Sequence, residues 1–239
     1  MKKMTWFMVG VVPLVVLALA GVANAATITW GSATLASADS DVSTTDTVVG
    51  AYDFTNNGNA GNLTVNTVLF ETWLTMSTAQ TDNSVTFTWT GPISGQADRQ
   101  SIPTGGGIGA SYARLMGSFA GTETSTQSTL TLSGLTDGQE YLFQVWCTDP
   151  INSVRNTLVD GAVTLRGNAS GTTGGLGDFV IGTFTASGDQ AITFDNGAGD
   201  GFTGYNVSAL QLRAVPEPAT LALLASGGIV MLLKRRRKA

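Results

Sequence analysis

Chemistry needs side chains that can attack, move a proton or ligate a metal, and this sequence offers few. It has no histidine and one cysteine, Cys147. A Ser-His-Asp triad, a Cys-His pair, a histidine metal site and a histidine general base are therefore excluded. A lone cysteine also rules out an intrachain disulfide and a cysteine-rich zinc site, and Cys147 reads as a small buried hydrophobe. Glycoside hydrolysis survives this filter, because it needs only two carboxyl groups held about 5–10 Å apart across a cleft. Ahead of Pro216 the only glutamates are Glu71, Glu123 and Glu140. Glu71 lies amid Phe70, Thr72 and Trp73 and is the one suited to a cleft; its plainer reading is an outward-facing strand residue. Glu140 reads as a solvated corner residue. No spacing in the sequence pairs these carboxylates, so the expectation is a protein that is not an enzyme.

Two binding chemistries remain. Hard cations take Asp, Asn and backbone oxygens. Asp195, Asn196 and Asp200 bracket the flexible run Asp195-Asn196-Gly197-Ala198-Gly199-Asp200-Gly201, a candidate structural calcium site; Asp39-Ser40-Asp41 is a second, weaker one. The first lacks the final glutamate of a twelve-residue EF-hand loop, and Asn-Gly and Asp-Gly also mark plain turns. No other cofactor is suggested. Sugars stack on exposed aromatic faces. Trp146 alternates out of register with Val145 and Cys147 and precedes the loop Asp149-Pro150-Ile151-Asn152, so it is the candidate ligand platform. Trp89 follows the apolar face of its own strand and reads as core.

The elements that would position these residues are strands. Charged residues make up 12% of the chain, about half the usual share, while glycine, threonine and serine abound. Period-two alternation recurs in Thr27–Trp30, Val85–Trp89, Leu130–Leu132, Tyr141–Cys147, Phe179–Ala186, Ala191–Phe194 and Ala209–Leu212, with Val48–Phe54 and Leu63–Trp73 as further strands. No window carries a convincing helical stripe, although a short helix fits Ala110–Phe119 after the glycine-rich loop Ser101–Gly109. About ten strands joined by Gly, Asn and Asp turns predict an all-β, two-sheet β-sandwich. The run Leu132-Ser133-Gly134-Leu135-Thr136-Asp137-Gly138-Gln139-Glu140-Tyr141 resembles the tyrosine corner of fibronectin type III domains. The length favours one jelly roll, and Leu130 to Arg213 resembles jelly-roll domains of the malectin or galactose-binding type. No sugar-contact residue carries over from that resemblance.

The two ends differ from this body. Residues 1–25 read as a signal peptide: Lys2 and Lys3, the apolar Trp6–Leu19, then Ala23-Asn24-Ala25, a small-residue site for signal peptidase. At the other end, Val215-Pro216-Glu217-Pro218 precedes the apolar run Ala219–Leu233 and the cations Lys234, Arg235, Arg236, Arg237 and Lys238. The apolar run is about 22 Å long as a helix, short for a span unless basic side chains snorkel. Its cations would keep that end in the cytoplasm, on the same side as Lys2 and Lys3, so that everything between is exported. Between the ends lie five arginines, no lysine and sixteen acidic residues, a net charge near −11. Such a surface repels phosphate backbones and argues against nucleic acid.

Pro-Glu-Pro, a short apolar helix and an arginine-rich end, in that order, resemble the PEP-CTERM sorting tail. The resemblance covers residues 214–239 and implies that exosortase, a membrane protease, recognises Pro216, Glu217 and Pro218 and removes the tail, leaving an exported surface or extracellular-matrix protein, often glycosylated. Two flanking prolines favour an extended segment, which a protease can hold. The expected division is thus a signal peptide over 1–25, an exported sandwich over 26–213, and a sorting tail over 214–239. The expected role is structural or adhesive, at the cell surface or in the matrix. A carbohydrate-binding module that takes extracellular polysaccharide, and an exported glycoside hydrolase, are the alternatives.

Overall fold

The computed structural model describes residues 25–55, 61–75, 78–93, 95–98, 102–151, 155–197 and 203–216. Residues 1–24 of the expected signal peptide 1–25, and the expected tail from Glu217 onward, lie outside them. Among the described residues no helix is long and apolar enough to cross a membrane.

Among the described residues, seventeen strands and one α-helix form. The chain opens with β1 (Thr29–Trp30), β2 (Thr34–Leu35), β3 (Thr47–Asp53), β4 (Leu63–Val65), β5 (Val68–Thr72), β6 (Gln80–Asp82), β7 (Val85–Thr90) and β8 (Gly95–Asp98). Helix α1 (Ala110–Gly117) leads into β9 (Ser118–Gly121), β10 (Ser128–Ser133), β11 (Glu140–Cys147), β12 (Asn156–Val159) and β13 (Val163–Arg166). The last four are β14 (Asp178–Thr185), β15 (Gln190–Asn196), β16 (Asn206–Val207) and β17 (Ala209–Ala214). The excess over the ten expected strands comes mainly from short pieces such as β6 and the β12–β13 hairpin.

Sequence sets several of these pairings directly. Asn66-Thr67 and Asn83-Ser84 both have two consecutive positive φ angles and close the tight hairpins β4–β5 and β6–β7. Asparagine tolerates that backbone because its short polar side chain bonds locally. In β7, Val85, Phe87 and Trp89 are buried while Thr86, Thr88 and Thr90 face out. Thr88 and Thr90 sit opposite Thr131 and Thr129 of β10, so β-branched side chains pack across the exposed face.

Two large sheets result. One has the order β1-β14-β11-β17-β3-β5-β4, with β2 also beside β14; the other runs β13-β12-β15-β10-β7-β6. A small third sheet, β16-β9-β8, caps one end. The main core lies between the large sheets, where Tyr141, Phe143, Val145 and Cys147 of β11 meet Phe87, Trp89, Leu130, Ile192 and Phe194. Trp89 is 6% exposed and stacks on Phe194, as a core residue should. Gly50 of β3 is required by this packing, since a Cβ there would lie 2.9 Å from the Phe87 ring. The tyrosine corner forms: the Tyr141 hydroxyl accepts the Thr136 N–H at 3.0 Å, and its ring stacks on Phe184.

The larger sheet is buried on both faces. Its outer face carries Ala51, Trp146, Phe179 and Ala209, which pack with Tyr112, Leu115 and Met116 of α1 and with Leu63, Val65 and Phe70. The strand registers also give the sandwich two unlike ends. At one end lie the start of β11, the finish of β17, the tight turn 134–139 and the entry to β1. The segments that follow β7, β11, β13 and β15 all leave from the other end. There Arg166 of β13 forms a bidentate ion pair with buried Asp178 of β14, tying the two sheets together.

Candidate functional site

The C-terminal exit of β17 is held by a network of polar side chains. β17 is a central strand, with Ala214 paired to Tyr141 on one side and to Thr47 on the other. Strand alternation puts Arg213 on the outer face with Ala209 and Gln211, and the register on the β3 side shifts at Leu212/Arg213. Its guanidinium donates to the carbonyls of Thr45 and Asp46 and to Gln211 Oε1, although the residue is only 4% exposed. Gln211 donates in turn to Gln144 Oε1 at 2.6 Å and to the Ser43 carbonyl, and Gln144 donates to the Asp41 carbonyl at 2.7 Å. A ladder of three side chains thereby satisfies the backbone of the strap 41–46 where it crosses the outer face of β11 and β17. Burial lowers the Arg213 pKa, a cost partly offset by the carboxylate of Asp46.

Beyond the strand, one more residue is held. The Val215 N–H donates to the Glu140 carbonyl at 2.9 Å. Gln139 Nε2 donates both to that carbonyl and to the carbonyl of Val215. Pro216 is exposed. Beside this exit is an open cleft of about 370 Å³ lined by Ala26, Thr27, Thr29, Glu140, Thr183, Phe184 and Thr185. The segment at Ala26, the expected mature start, therefore lies at the same end of the sandwich as the exit of β17.

The other candidates are dispersed. Trp146 points to the face opposite Val145 and Cys147, as its register implies, but it is no exposed platform. It is fully buried, 5.8 Å from the Phe70 ring and 6.2 Å from the Phe179 ring, because α1 and the β4–β5 hairpin cover that face. Asp195 and Asn196 sit at the end of β15, where Asp195 Oδ1 accepts the Asn196 N–H; Asp200 lies outside the described residues. Asp39 and Asp41 have structural work instead. Asp39 accepts the Gly109 N–H at the start of α1, and Asp41 accepts the Ala38 N–H and the Tyr112 hydroxyl. Among the described residues no group of three or more Asp, Glu or Cys side chains is placed to hold a metal.

The glutamates are equally scattered. Glu123 pairs with Arg155 at 2.9 Å. Glu71 is exposed on β5, opposite Tyr52. It is separated from Glu140 by three strand spacings and five residues of β11, roughly 20 Å, too far for shared work on one glycosidic bond. Cys147 is buried, its thiol donating to Asn206 Oδ1 at 2.9 Å, and burial pushes its pKa up, which makes it a poor nucleophile.

One buried carboxyl was not signalled by any motif. Asp53, at the end of β3, is fully buried beneath α1; Oδ2 accepts the Ser118 hydroxyl at 3.4 Å, and Oδ1 has no hydrogen-bond partner. Burial pushes its pKa from 3.8 up to about 6, against the pull of the Thr72 hydroxyl and the Arg114 charge. The neutral acid is thus favoured in the fold. Its contribution to stability is whole below about pH 4 and is lost as pH rises through 6. Asp53→Asn is expected to raise stability at pH 8 by about 1–3 kcal/mol and to change little at pH 4. Melting curves of both forms across that range test this; parallel curves would refute it.

Sequence reasoning located the tail but missed Gln139, Gln144, Gln211 and Arg213, which hold the end of β17. For Gln211 and Arg213 the only local sign is their alternation with Leu210 and Leu212, a pattern that ordinarily marks a solvated face.

Residues 214–238 match the family model described as the PEP-CTERM protein-sorting motif. No curated protein and no solved structure matches the chain. The matched stretch starts at Ala214, the last residue of β17, so the fold and the sorting segment abut without a linker. The motif implies export, transient anchoring in the membrane and processing by exosortase.

Proposed function

We propose that this chain is a non-catalytic structural or adhesive protein of the cell surface or extracellular matrix, delivered there by exosortase-dependent sorting. The observation that carries the reading is the sorting motif joined directly to a central strand whose exit lies beside Ala26. A domain tethered in this way stands with one end toward the membrane and turns its other end, with the longer connections, outward. Signal peptidase and exosortase are then its processing partners, and the apolar run Ala219–Leu233 holds it in the membrane until it is trimmed.

The sandwich reads as a jelly roll. Setting β10 aside leaves β3-β17-β11-β14 facing β7-β15-β12-β13, the strand order of an eight-stranded jelly roll. That architecture serves lectins and capsids alike, so it supports a binding or building role without naming a ligand. The burial of Trp146 and the separation of Glu71 from Glu140 weigh toward the structural role over sugar stacking or hydrolysis. Intact-mass spectrometry of the protein from a host that has exosortase tests the assignment. The expected mass corresponds to a chain that begins at Ala26 and lacks Lys234–Lys238. A full-length polypeptide recovered from the cytosol would overturn it.

A further inference from the structure

We propose that the folded domain sets the upstream limit of its own trimming: Gln139 and the Glu140 carbonyl clip Val215, so a protease can cut only at Pro216 or beyond. This rests on the sorting reading for its biological use, but the clip itself is a property of the fold.

A protease holds its substrate as an extended strand and needs free backbone N–H and C=O groups on both sides of the scissile bond. Val215 has neither free. Its N–H is given to the Glu140 carbonyl, and its C=O is taken by Gln139 Nε2. Ala214 is paired on both sides, and Arg213 is fastened by its guanidinium to Thr45, Asp46 and Gln211. Baring the Ala214–Val215 bond therefore means unzipping a central strand from two neighbours at once. Pro216 has no N–H, so it cannot extend the ladder, and it is the first exposed residue after it. Handover from fold to free chain thus falls between Val215 and Pro216. Gln139 is the adjustable part of this clip. It lies in the turn before β11, and its side chain bridges the Glu140 carbonyl of β11 to the Val215 carbonyl at the exit.

The test uses Gln139→Glu, which keeps the shape but cannot donate, and sets a carboxylate against the Val215 carbonyl. The full chain in detergent is digested with proteinase K and the protected fragment is weighed. Wild type is expected to keep Ala214 and Val215. Gln139→Glu is expected to lose Val215 about fivefold faster through cleavage of the Ala214–Val215 bond, the shift expected from losing the one bond that reaches the Val215 carbonyl. Its melting temperature should stay within about 2 °C of wild type, as for other surface changes. A wild-type fragment that ends before Val215, or identical ends and rates for the two proteins, would overturn the clip. In a host with exosortase the same pair should show released wild type ending at residue 216 or later, with shorter products added in the variant. Absence of trimming in both would refute the sorting reading, while the digestion would still decide the clip.

Discussion

Trp146→Ala should cost the protein about 3–5 kcal/mol, the range for removing a large buried aromatic. For a domain of this size that is a fall of roughly 6–20 °C in melting temperature. The cost arises because the indole is enclosed on every side. β11 places it on the outer face of the large sheet, where Phe70 of β5 meets it edge-on and Phe179 of β14 lies tilted against it. Tyr112, Leu115 and Met116 of α1 belong to the same cluster. Alanine would leave a cavity that the helix could close only by leaving its seat on β4. Trp146→Phe should recover much of the loss, since a smaller ring still fills part of the space. Thermal melts of the three proteins decide it. If Trp146→Ala melts within about 2 °C of wild type, the α1 layer does not close over this face.

The same residue shows what sequence could and could not say. Alternation in Tyr141–Cys147 fixes parity, and parity placed Trp146 opposite Val145 and Cys147 correctly. Parity is silent about what covers a face. The cover comes from α1, about thirty residues upstream, and from Phe70, seventy-six residues away, and no local pattern reports such contacts. The strands β7, β10, β11, β14 and β15 were legible because each combines β-branched or aromatic residues with period two, β17 by the alternation of Leu210 and Leu212 with polar residues, and β3 by its apolar run alone. The tyrosine corner was legible because its turn chemistry is local: a glycine, a short polar run, then Tyr141. β6 was missed because Gln80-Thr81-Asp82 carries no apolar signal, and it pairs only through its Asn83-Ser84 turn. The β12–β13 hairpin could have been found. Asp160-Gly161 between Leu158-Val159 and Val163 is a strong turn signal, and both residues have positive φ.

The polar ladder at the end of β17 failed to register for the same reason as Trp146. Gln211 and Arg213 look like solvent-facing residues, and the strap that covers them is about 170 residues away in sequence. This ladder gives the second large expectation. Arg213→Met keeps the aliphatic stem and removes every donor. The carbonyls of Thr45 and Asp46 and the Gln211 side chain would each lose a partner. An unpaired buried acceptor costs about 1–3 kcal/mol, while removing a buried cation returns part of its desolvation penalty. Because the partners are carbonyls that need a donor, and methionine supplies none, loss should win by about 2–4 kcal/mol. Arg213→Lys should restore only part of it, since one ammonium cannot reach across three acceptors that a planar guanidinium spans. Melting curves check the order: wild type highest, the lysine variant between, the methionine variant lowest. An Arg213→Met protein that melts with wild type would show that the strap is held without the ladder. The effect should also reach the tail. Loosening the strap frees the β3 side of Ala214, so proteinase K should trim Arg213→Met further back than it trims Gln139→Glu, which loses the clip but keeps the strand.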